Sequence, residues 1–136
     1  KKKESGNIYV LLGDGECQEG SVWEAGLFAS QHKLSNLIAI IDCNKKQSSG
    51  LVKNILDIEP LLMKWESFGW QVVGVDGHNI AELYDAFTAE YEKNKPVAII
   101  AHTIKGKGFS FSENNNDWHH APLTKSQYEI AINELN

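Results

Sequence analysis

A Gly-Asp-Gly tripeptide at residues 13–15 and an asparagine, Asn44, are strong candidates for a ligand site in this sequence. The tripeptide directly follows an apolar run at 8–12, and Asn44 comes shortly after a second apolar run at 37–41. Both runs are short and rich in Ile, Val and Leu, which is typical of buried parallel strands. In open α/β sheets ligands bind outside the carboxyl ends of the strands, so we expect Asp14 and Asn44 to meet there as two oxygen donors.

A carboxylate and an amide at one edge of a sheet predict a site for a hard divalent cation such as Mg²⁺. This ion prefers octahedral oxygen coordination and usually has few protein carboxylates, while phosphate oxygens and water take the other positions. A diphosphate ligand is therefore implied, and Gly13 and Gly15 would let the backbone approach it closely. Gly-Asp-Gly is also common in ordinary turns, so the tripeptide alone would favour a plain strand-to-helix turn. Its combination with Asn44 favours the ligand site.

The elements that must position these residues alternate between strands and helices. Short apolar runs predict strands at 8–12, 37–42, 70–75 and 96–102. Apolar spacing and capping residues predict helices at 19–33, 60–68, 80–91 and 124–135. The polar stretches at 44–50 and 105–117 are expected to be loops, the first closing over the ligand edge and the second a long ordered loop or lid. This order predicts an α/β fold, a doubly wound and mostly parallel sheet with helices on both faces.

Length and charge narrow the class of protein. The 136 residues fit a single domain spanning 1–136, and the hydrophobic content of 42% can fill one core. The net charge is -5 and all 13 basic residues are lysine, so nucleic acid is not expected as a partner. The lysines at positions 1 to 3 are expected to be a solvated start. No apolar run reaches the length of a membrane span, which makes a cytoplasmic protein the default expectation.

The two cysteines, Cys17 and Cys43, are too few and too far apart to indicate a disulfide framework or a zinc site. Both are expected to be free thiols. Cys17 would lie near a helix N-terminus, where a thiolate is favoured, and Cys43 beside the diphosphate, where it is not. A catalytic role is the weaker interpretation of either residue.

Several stretches together resemble the diphosphate-binding domain of thiamine diphosphate enzymes, and within that group the N-terminal part of transketolase. The spacing from the Gly-Asp-Gly tripeptide to Asn44, with 28 residues between Gly15 and Asn44, is similar to the signature of these enzymes. The other matching stretches are residues 16–25, Asp76-Gly77-His78, residues 103–108, and His119 before Ala121-Pro122. They span nearly the whole chain.

The resemblance implies a set of ligand residues. Mg²⁺, or equally Ca²⁺, would be bound by the side chains of Asp14 and Asn44 and by the backbone carbonyl of Lys46. Thiamine diphosphate would be bound by Gly13, Asp14, Gly15, Asn44 and His119. In transketolases the residue matching His119 contacts both cofactor and sugar, and an imidazole can also move a proton near neutral pH. His120 stands where the family usually has glycine, which leaves the register of the histidine pair open.

Two glutamates, Glu19 and Glu24, match acidic positions of the transketolase segment. They are five residues apart, about 140° around a helix, so they do not share one narrow face. One interpretation makes them ordinary exposed side chains. The resemblance implies another, in which they lie at a dimer interface and take part in an acidic link between two active sites. Burial of both carboxylates at a subunit contact would distinguish the two.

The activity implied by the resemblance is transfer of a two-carbon ketol unit between sugar phosphates, with the cofactor as electron sink. The activating glutamate of these enzymes lies in a separate pyrimidine-binding domain, for which the chain has no room. We therefore expect a fragment, or a shortened subunit of a split transketolase, that works with a pyrimidine-binding partner as a dimer or heterotetramer. Two alternatives remain: a thiamine-dependent 2-oxo acid dehydrogenase component, and a non-catalytic assembly or regulatory subunit with the same fold.

Overall fold

The computed structural model describes residues 6–135, so the predicted solvated lysines at positions 1 to 3 lie outside the described part. Its strands are β1 (Ile8–Gly13), β2 (Leu37–Cys43), β3 (Lys46–Gln47), β4 (Gly50–Leu51), β5 (Gln71–Asp76) and β6 (Val97–His102). Four of them form a parallel sheet in the order β1-β2-β6-β5, and β3 and β4 form a separate antiparallel pair. The predicted parallel sheet is confirmed.

The helices are α1 (Gly20–Gln31), α2 (Val52–Ile55), α3 (Leu61–Ser67), α4 (Ile80–Thr88) and α5 (Lys125–Glu134), with 3₁₀ helices at Gly15–Gln18 and Asn116–His119. The helix predicted over 19–33 is observed as α1, and an additional 3₁₀ helix precedes it, with Glu19 between the two. The helix predicted to end at residue 91 ends at Thr88. Thr124 is the N-cap of α5, as predicted, and it forms a capping box with Gln127.

Side chains of the central strands alternate between the two faces of the sheet, as the pleat of a strand requires. Ile41 and Ile100 pack on one face in a core that includes Trp65 of α3, and Ile38 and Ile99 pack on the other face with α4. Burying one such side chain contributes roughly 1.5–3 kcal/mol to folding. Helices therefore cover both faces, which confirms the doubly wound α/β fold.

The edge of the sheet formed by β1 is much less covered than its centre. Leu11 of β1 is 70% exposed, and Leu27 and Phe28 of the neighbouring α1 are 52% and 60% exposed. Only the opposite side of α1 faces the core, where Ala29 is buried and a Cβ on Gly26 would come 3.2 Å from the Trp65 ring. The apolar spacing of α1 therefore predicted the helix correctly, but not all of its apolar residues face inward.

The loops at the carboxyl ends of the strands are well ordered by hydrogen bonds. The stretch predicted as a loop at 44–50 contains the β3–β4 hairpin. The predicted long loop at 105–117 consists of turns that lead into the 3₁₀ helix Asn116–His119. Within residues 6–135, no helix is both long enough and apolar enough to cross a membrane.

Candidate cation and diphosphate site

Asp14 lies where β1 turns into the first 3₁₀ helix, and its carboxylate is buried, with 2% exposed. One oxygen, Oδ1, accepts the N–H of Gly15 at 2.8 Å, and the other, Oδ2, accepts the N–H of Lys45 at 2.6 Å. Burial raises the pKa of the Asp14 carboxyl, although both hydrogen bonds and the nearby Lys45 charge act in the opposite direction. The side chain is therefore fixed in place, in surroundings that disfavour its negative charge.

Asn44 directly follows β2 and is fixed by its neighbours on both sides of the amide. Its Oδ1 accepts the N–H of Lys46 at 2.9 Å, and its Nδ2 donates to Oδ2 of Asp42 at 3.1 Å. The other Asp42 oxygen, Oδ1, accepts a hydrogen bond from the hydroxyl of Thr103, which follows β6. A side-chain hydrogen bond therefore links the ends of β2 and β6 beside Asn44.

The β3–β4 hairpin crosses over the Gly-Asp-Gly turn, and this contact explains one of its two glycines. A Cβ on Gly15 would lie 2.7 Å from Oε1 and 2.8 Å from Cβ of Gln47, closer than carbon atoms approach. At Gly13 a Cβ would meet only Glu16, at 4.0 Å. Gly15 is therefore required by the hairpin, while the role of Gly13 toward a diphosphate stays a prediction.

Lys105 and His119 come to the same region on the long loop after β6. Nζ of Lys105 lies 2.9 Å from Nδ1 of His119. A lysine ammonium has only donors, so Nδ1 accepts and the imidazole proton is on Nε2. The charge of Lys105 lowers the pKa of His119, and slight burial and His120 act in the same direction. The neutral form of His119 is therefore favoured.

Two further hydrogen bonds connect this loop to the hairpin. Nζ of Lys46 donates to the backbone oxygen of Asn114, and Nδ2 of Asn116 donates to the backbone oxygen of Ser48 at 3.0 Å. The backbone oxygen of Lys105 in turn accepts the N–H of Asn114 at 2.8 Å. The hairpin and the long loop therefore support each other above the end of the sheet.

Together these elements enclose one polar cleft of about 490 Å³ at the carboxyl ends of the strands. It is lined by Gly13, Asp14, Gly15, Glu16, Glu19, Asp42, Asn44, Lys46, Gln47, Ser48, Lys105 and His119. The predicted meeting of Asp14 and Asn44 is therefore observed. Every residue predicted to bind cofactor or metal lines this cleft.

The chemistry of this cleft fits a divalent cation with a diphosphate. Asp14 is a buried carboxylate that forms no ion pair with a side chain in the described part of the protein. Lys105 adds a positive charge toward an anionic ligand. Among residues 6–135 no three His, Cys, Asp or Glu side chains are grouped to hold a metal ion by themselves. Mg²⁺ takes few carboxylates and completes its coordination with phosphate oxygens and water.

Only one residue of the histidine pair and one of the two predicted glutamates line the cleft. His119 lines the cleft and His120 does not, so His119 is the member of the pair that faces the candidate site. Glu19 lies at the cleft and Glu24 on α1 does not; both are exposed in this chain, and their place at a dimer interface stays a prediction.

The expectation that a thiolate is favoured at Cys17 was wrong. Cys17 lies near a helix N-terminus, in the short 3₁₀ helix that follows Asp14, but its side chain is fully buried. Burial raises the pKa of Cys17 to about 12, and the nearby Asp14 and Glu16 carboxylates act in the same direction. Cys43 is also buried, and its pKa is raised by that burial. Both are free thiols, as predicted.

Sequence reasoning gave no role to three residues that the structure places in or beside the cleft: Asp42, Thr103 and Lys105. Asp42 could have been found, because it precedes Asn44 by two residues at the end of the same strand. Lys105 belongs to a stretch, residues 103–108, that resembles the transketolase family. Nothing in the sequence alone indicated that its ammonium would reach His119.

Comparison with known proteins agrees with this geometry. Residues 3–135 match the family described as the transketolase thiamine diphosphate binding domain. The chain is 46% identical over 136 residues to one subunit of the apulose-4-phosphate transketolase of Actinobacillus succinogenes, covering 98% of this chain and 49% of that protein. It is 44% identical over 133 residues to human transketolase, covering 98% of this chain and 21% of that protein.

The fold is shared with solved transketolase structures. The crystal structure of transketolase from Campylobacter jejuni superimposes with a TM-score of 0.88 at 35% sequence identity, covering 96% of this chain and 20% of that one. The chain thus spans about half the length of the subunit it resembles, and about a fifth of the longer transketolases. With a family match over nearly all of its residues, the chain belongs to the transketolase thiamine diphosphate-binding domain family.

Proposed function

We propose that this chain supplies the magnesium- and diphosphate-binding part of a transketolase-like enzyme that transfers a two-carbon ketol unit between sugar phosphates. The observation that carries the proposal is the buried Asp14 carboxylate, which faces the same polar cleft as Asn44, Lys105 and His119. A buried carboxylate without a paired cation is costly, and a bound Mg²⁺ would offset that cost.

In this proposal each part of the cleft has its own task. Asp14, Asn44 and the backbone oxygen of Lys46 bind the cation, Mg²⁺ or in its place Ca²⁺. Lys105 stabilises the negative diphosphate, and the neutral His119 contacts cofactor and sugar. Thiamine diphosphate, when bound, supplies the electron sink for the transfer. The chain's own contribution is to bind and orient that cofactor.

We further propose that catalysis requires a partner that binds the pyrimidine end of the cofactor, in a dimer or heterotetramer. Two observations support this part. The relatives that match over about half their length are named as subunits of transketolases. The β1 edge also exposes apolar side chains such as Tyr9 and Leu11, and large exposed apolar patches are typical of interaction surfaces. Glu19 and Glu24, exposed here, would then lie at the contact between subunits.

Titration calorimetry tests the anchor directly. The full chain is titrated with inorganic diphosphate and with thiamine diphosphate, each with and without Mg²⁺. We expect Mg²⁺-dependent binding of both, because the diphosphate is the part that this chain recognises. Asp14→Ala should weaken binding of both ligands by about 100-fold or more, since it removes the only carboxylate proposed to bind the ion.

Asp85→Ala is the matched control, because it removes an exposed carboxylate on α4, away from the cleft. Affinity should be unchanged in this variant. Equal affinity of wild type and Asp14→Ala, or binding that is independent of Mg²⁺, would contradict the proposed anchor. Ketol transfer is expected only after a pyrimidine-binding transketolase subunit is added, and turnover by the purified chain alone would refute the need for a partner.

A further inference from the structure

The turn formed by Asp76, Gly77 and His78 lies beside the cleft, yet none of its residues lines it. It follows β5 and contacts the chain leaving β6 through two hydrogen bonds. The N–H of Gly77 donates to the backbone oxygen of His102 at 2.8 Å, and the N–H of Ile104 donates to Nε2 of His78 at 2.8 Å. The imidazole of His78 thereby continues the contact between these strands beyond the end of the sheet.

This 76–78 turn is itself held rigidly. Oδ1 of Asp76 accepts the N–H of His78 at 2.9 Å, and the N–H of Asp76 donates to Glu82 of α4 at 2.8 Å. A Cβ on Gly77 would lie 2.4 Å from Cγ2 of Thr103, so the turn is packed directly against the strand exit. Because backbone and side-chain bonds both fix it, the turn is a firm support for whatever it contacts.

The segment that His78 contacts leads straight to the candidate site. Thr103 is bound on its other side by the end of β2, through its hydroxyl to Asp42 and its N–H to the backbone oxygen of Cys43 at 3.4 Å. Ile104 comes next, and Lys105, the following residue, reaches His119. His78 is therefore the last side chain on the β5 side that fixes the backbone before Lys105 enters the cleft.

The acceptor role also defines the state of the His78 imidazole. Nε2 must carry a lone pair to accept the Ile104 N–H, so the ring proton is on Nδ1. A glutamine side chain places an oxygen acceptor at a similar reach, whereas asparagine is one methylene shorter. His78→Gln is therefore a conservative variant that keeps the acceptor, whereas His78→Ala and His78→Asn remove it.

We propose that His78 is a positioning residue for the diphosphate site: by accepting the Ile104 N–H, it places Lys105 in the cleft beside His119. The positioning is a property of the ligand-free chain, and only its effect on ligand affinity rests on the proposed function. His78 contacts neither cation nor diphosphate in this account. It acts through the backbone that carries Lys105.

Nuclear magnetic resonance on the full chain without ligand tests the positioning. In His78→Ala we expect the Ile104 amide to exchange its hydrogen about tenfold faster than in wild type, because one hydrogen bond that protects it is gone. In the same variant the pKa of His119 should rise toward its ordinary value. Lys105→Gln removes the Lys105 charge completely, so the rise in the pKa of His119 in that variant is the largest that this charge can cause. His78→Gln should restore both properties.

His32→Ala is the matched control, since it removes an exposed histidine next to α1 and should leave both properties unchanged. If His78→Ala does not fold, as judged by circular dichroism, His78→Asn replaces it in the comparison with His78→Gln. Unchanged Ile104 exchange and an unchanged His119 titration in the folded variant would overturn the proposal. The proposal would also be overturned if His78→Gln showed the same Ile104 exchange and the same His119 titration as His78→Ala.

The ligand effect is measured separately. His78→Ala should weaken binding of Mg²⁺ with inorganic diphosphate by about threefold to tenfold, and should add nothing in a Lys105→Gln background, because both changes remove the same contact. If the two substitutions weaken binding additively, His78 does not act through Lys105. Failure of Asp14→Ala to weaken diphosphate binding would instead contradict the proposed function, and it would leave the Ile104 and His119 measurements valid.

Discussion

The two sides of the cleft are built in different ways. Asp14 and Asn44, the strand half, directly follow strands of the central sheet, and Asp14 is 2% exposed with both oxygens bonded to backbone N–H groups. Lys105 and His119, the loop half, lie on a long loop, and His119 is exposed on a 3₁₀ helix. The strand half is therefore formed by the fold itself, whereas the loop half depends on a few hydrogen bonds between loops.

This difference follows from what supports each half. The strand that leads to Asn44, β2, and its neighbour β6 carry fully buried side chains such as Ile41, Ile99 and Ile100. The loop beneath His119 has a small aromatic contact instead, with Phe111 and Trp118 centroids 5.0 Å apart. Local opening is easier where few apolar contacts are buried, so the loop half should be the more mobile of the two.

The largest expected effect concerns stability. Ile41→Ala should lower the free energy of unfolding by roughly 2–5 kcal/mol, because it leaves a cavity beneath the strand half. Trp118→Ala, beneath the loop half, should cost only about 1 kcal/mol, because this side chain is half-buried. Urea denaturation of both variants measures the two values. Equal losses in the free energy of unfolding would contradict the proposed difference between the strand half and the loop half.

The next effect concerns the amide ligand. Asn44→Ala should weaken binding of Mg²⁺ with inorganic diphosphate by about tenfold to 100-fold, since it removes an oxygen donor and releases the Asp42 and Lys46 contacts. Titration calorimetry measures the change. Ser49→Ala, an exposed change on the neighbouring hairpin, should have no effect. Wild-type affinity in Asn44→Ala would show that the strand half does not bind the ion through this residue.

A smaller effect is expected for the loop half. Lys105→Gln should weaken diphosphate binding about threefold to tenfold at low ionic strength, because it removes one partly exposed charge. The difference from wild type should nearly disappear at about 1 M salt, where charges are screened within about 3 Å. Asp14→Ala should retain most of its defect under the same conditions. A Lys105→Gln defect that is insensitive to salt would mean that this residue acts through packing.

The smallest effect concerns pH and the ligand-free chain. Burial raises the pKa of Asp14 in the folded state above its ordinary value of 3.8. The folded chain therefore binds the proton more tightly than the unfolded chain, and the stability gained from that proton is lost as pH rises through the folded pKa. Asp14→Asn should avoid this loss. The melting temperature of Asp14→Asn minus that of wild type should therefore increase from about pH 4 to about pH 7.5 in calorimetric scans. A constant or falling difference would contradict the cost assigned to the buried charge.

The strand half was predictable from sequence and the loop half only in part. Two apolar runs followed by Asp14 and Asn44 define parallel strands whose ends must meet, because topology alone places them together. Lys105 depends on how a loop without periodicity folds back on the hairpin, and no local pattern specifies such a contact. His119 was identified by resemblance, while the hydrogen bond between the two needed the structure.

Other differences have similar physical reasons. Cys17 follows the tripeptide closely enough to suggest a helix N-terminus, but a 3₁₀ helix turned its side chain into the core. The apolar residues Leu27 and Phe28 fit the helical spacing of α1, yet only one side of that helix faces the sheet. Periodicity predicts that a helix forms; it does not show how much of its apolar surface the same chain covers.

Thermal unfolding of wild type and Asp14→Asn, each with and without Mg²⁺ and inorganic diphosphate, is the most direct test of whether Asp14 binds the ion. We claim that the Asp14 carboxylate is costly in the ligand-free chain and stabilising when the ion is bound. We expect Mg²⁺ with diphosphate to raise the melting temperature of wild type and to leave that of Asp14→Asn nearly unchanged, because only wild type gains stability from binding. An equal ligand-induced gain in both proteins would show that Asp14 does not bind the ion.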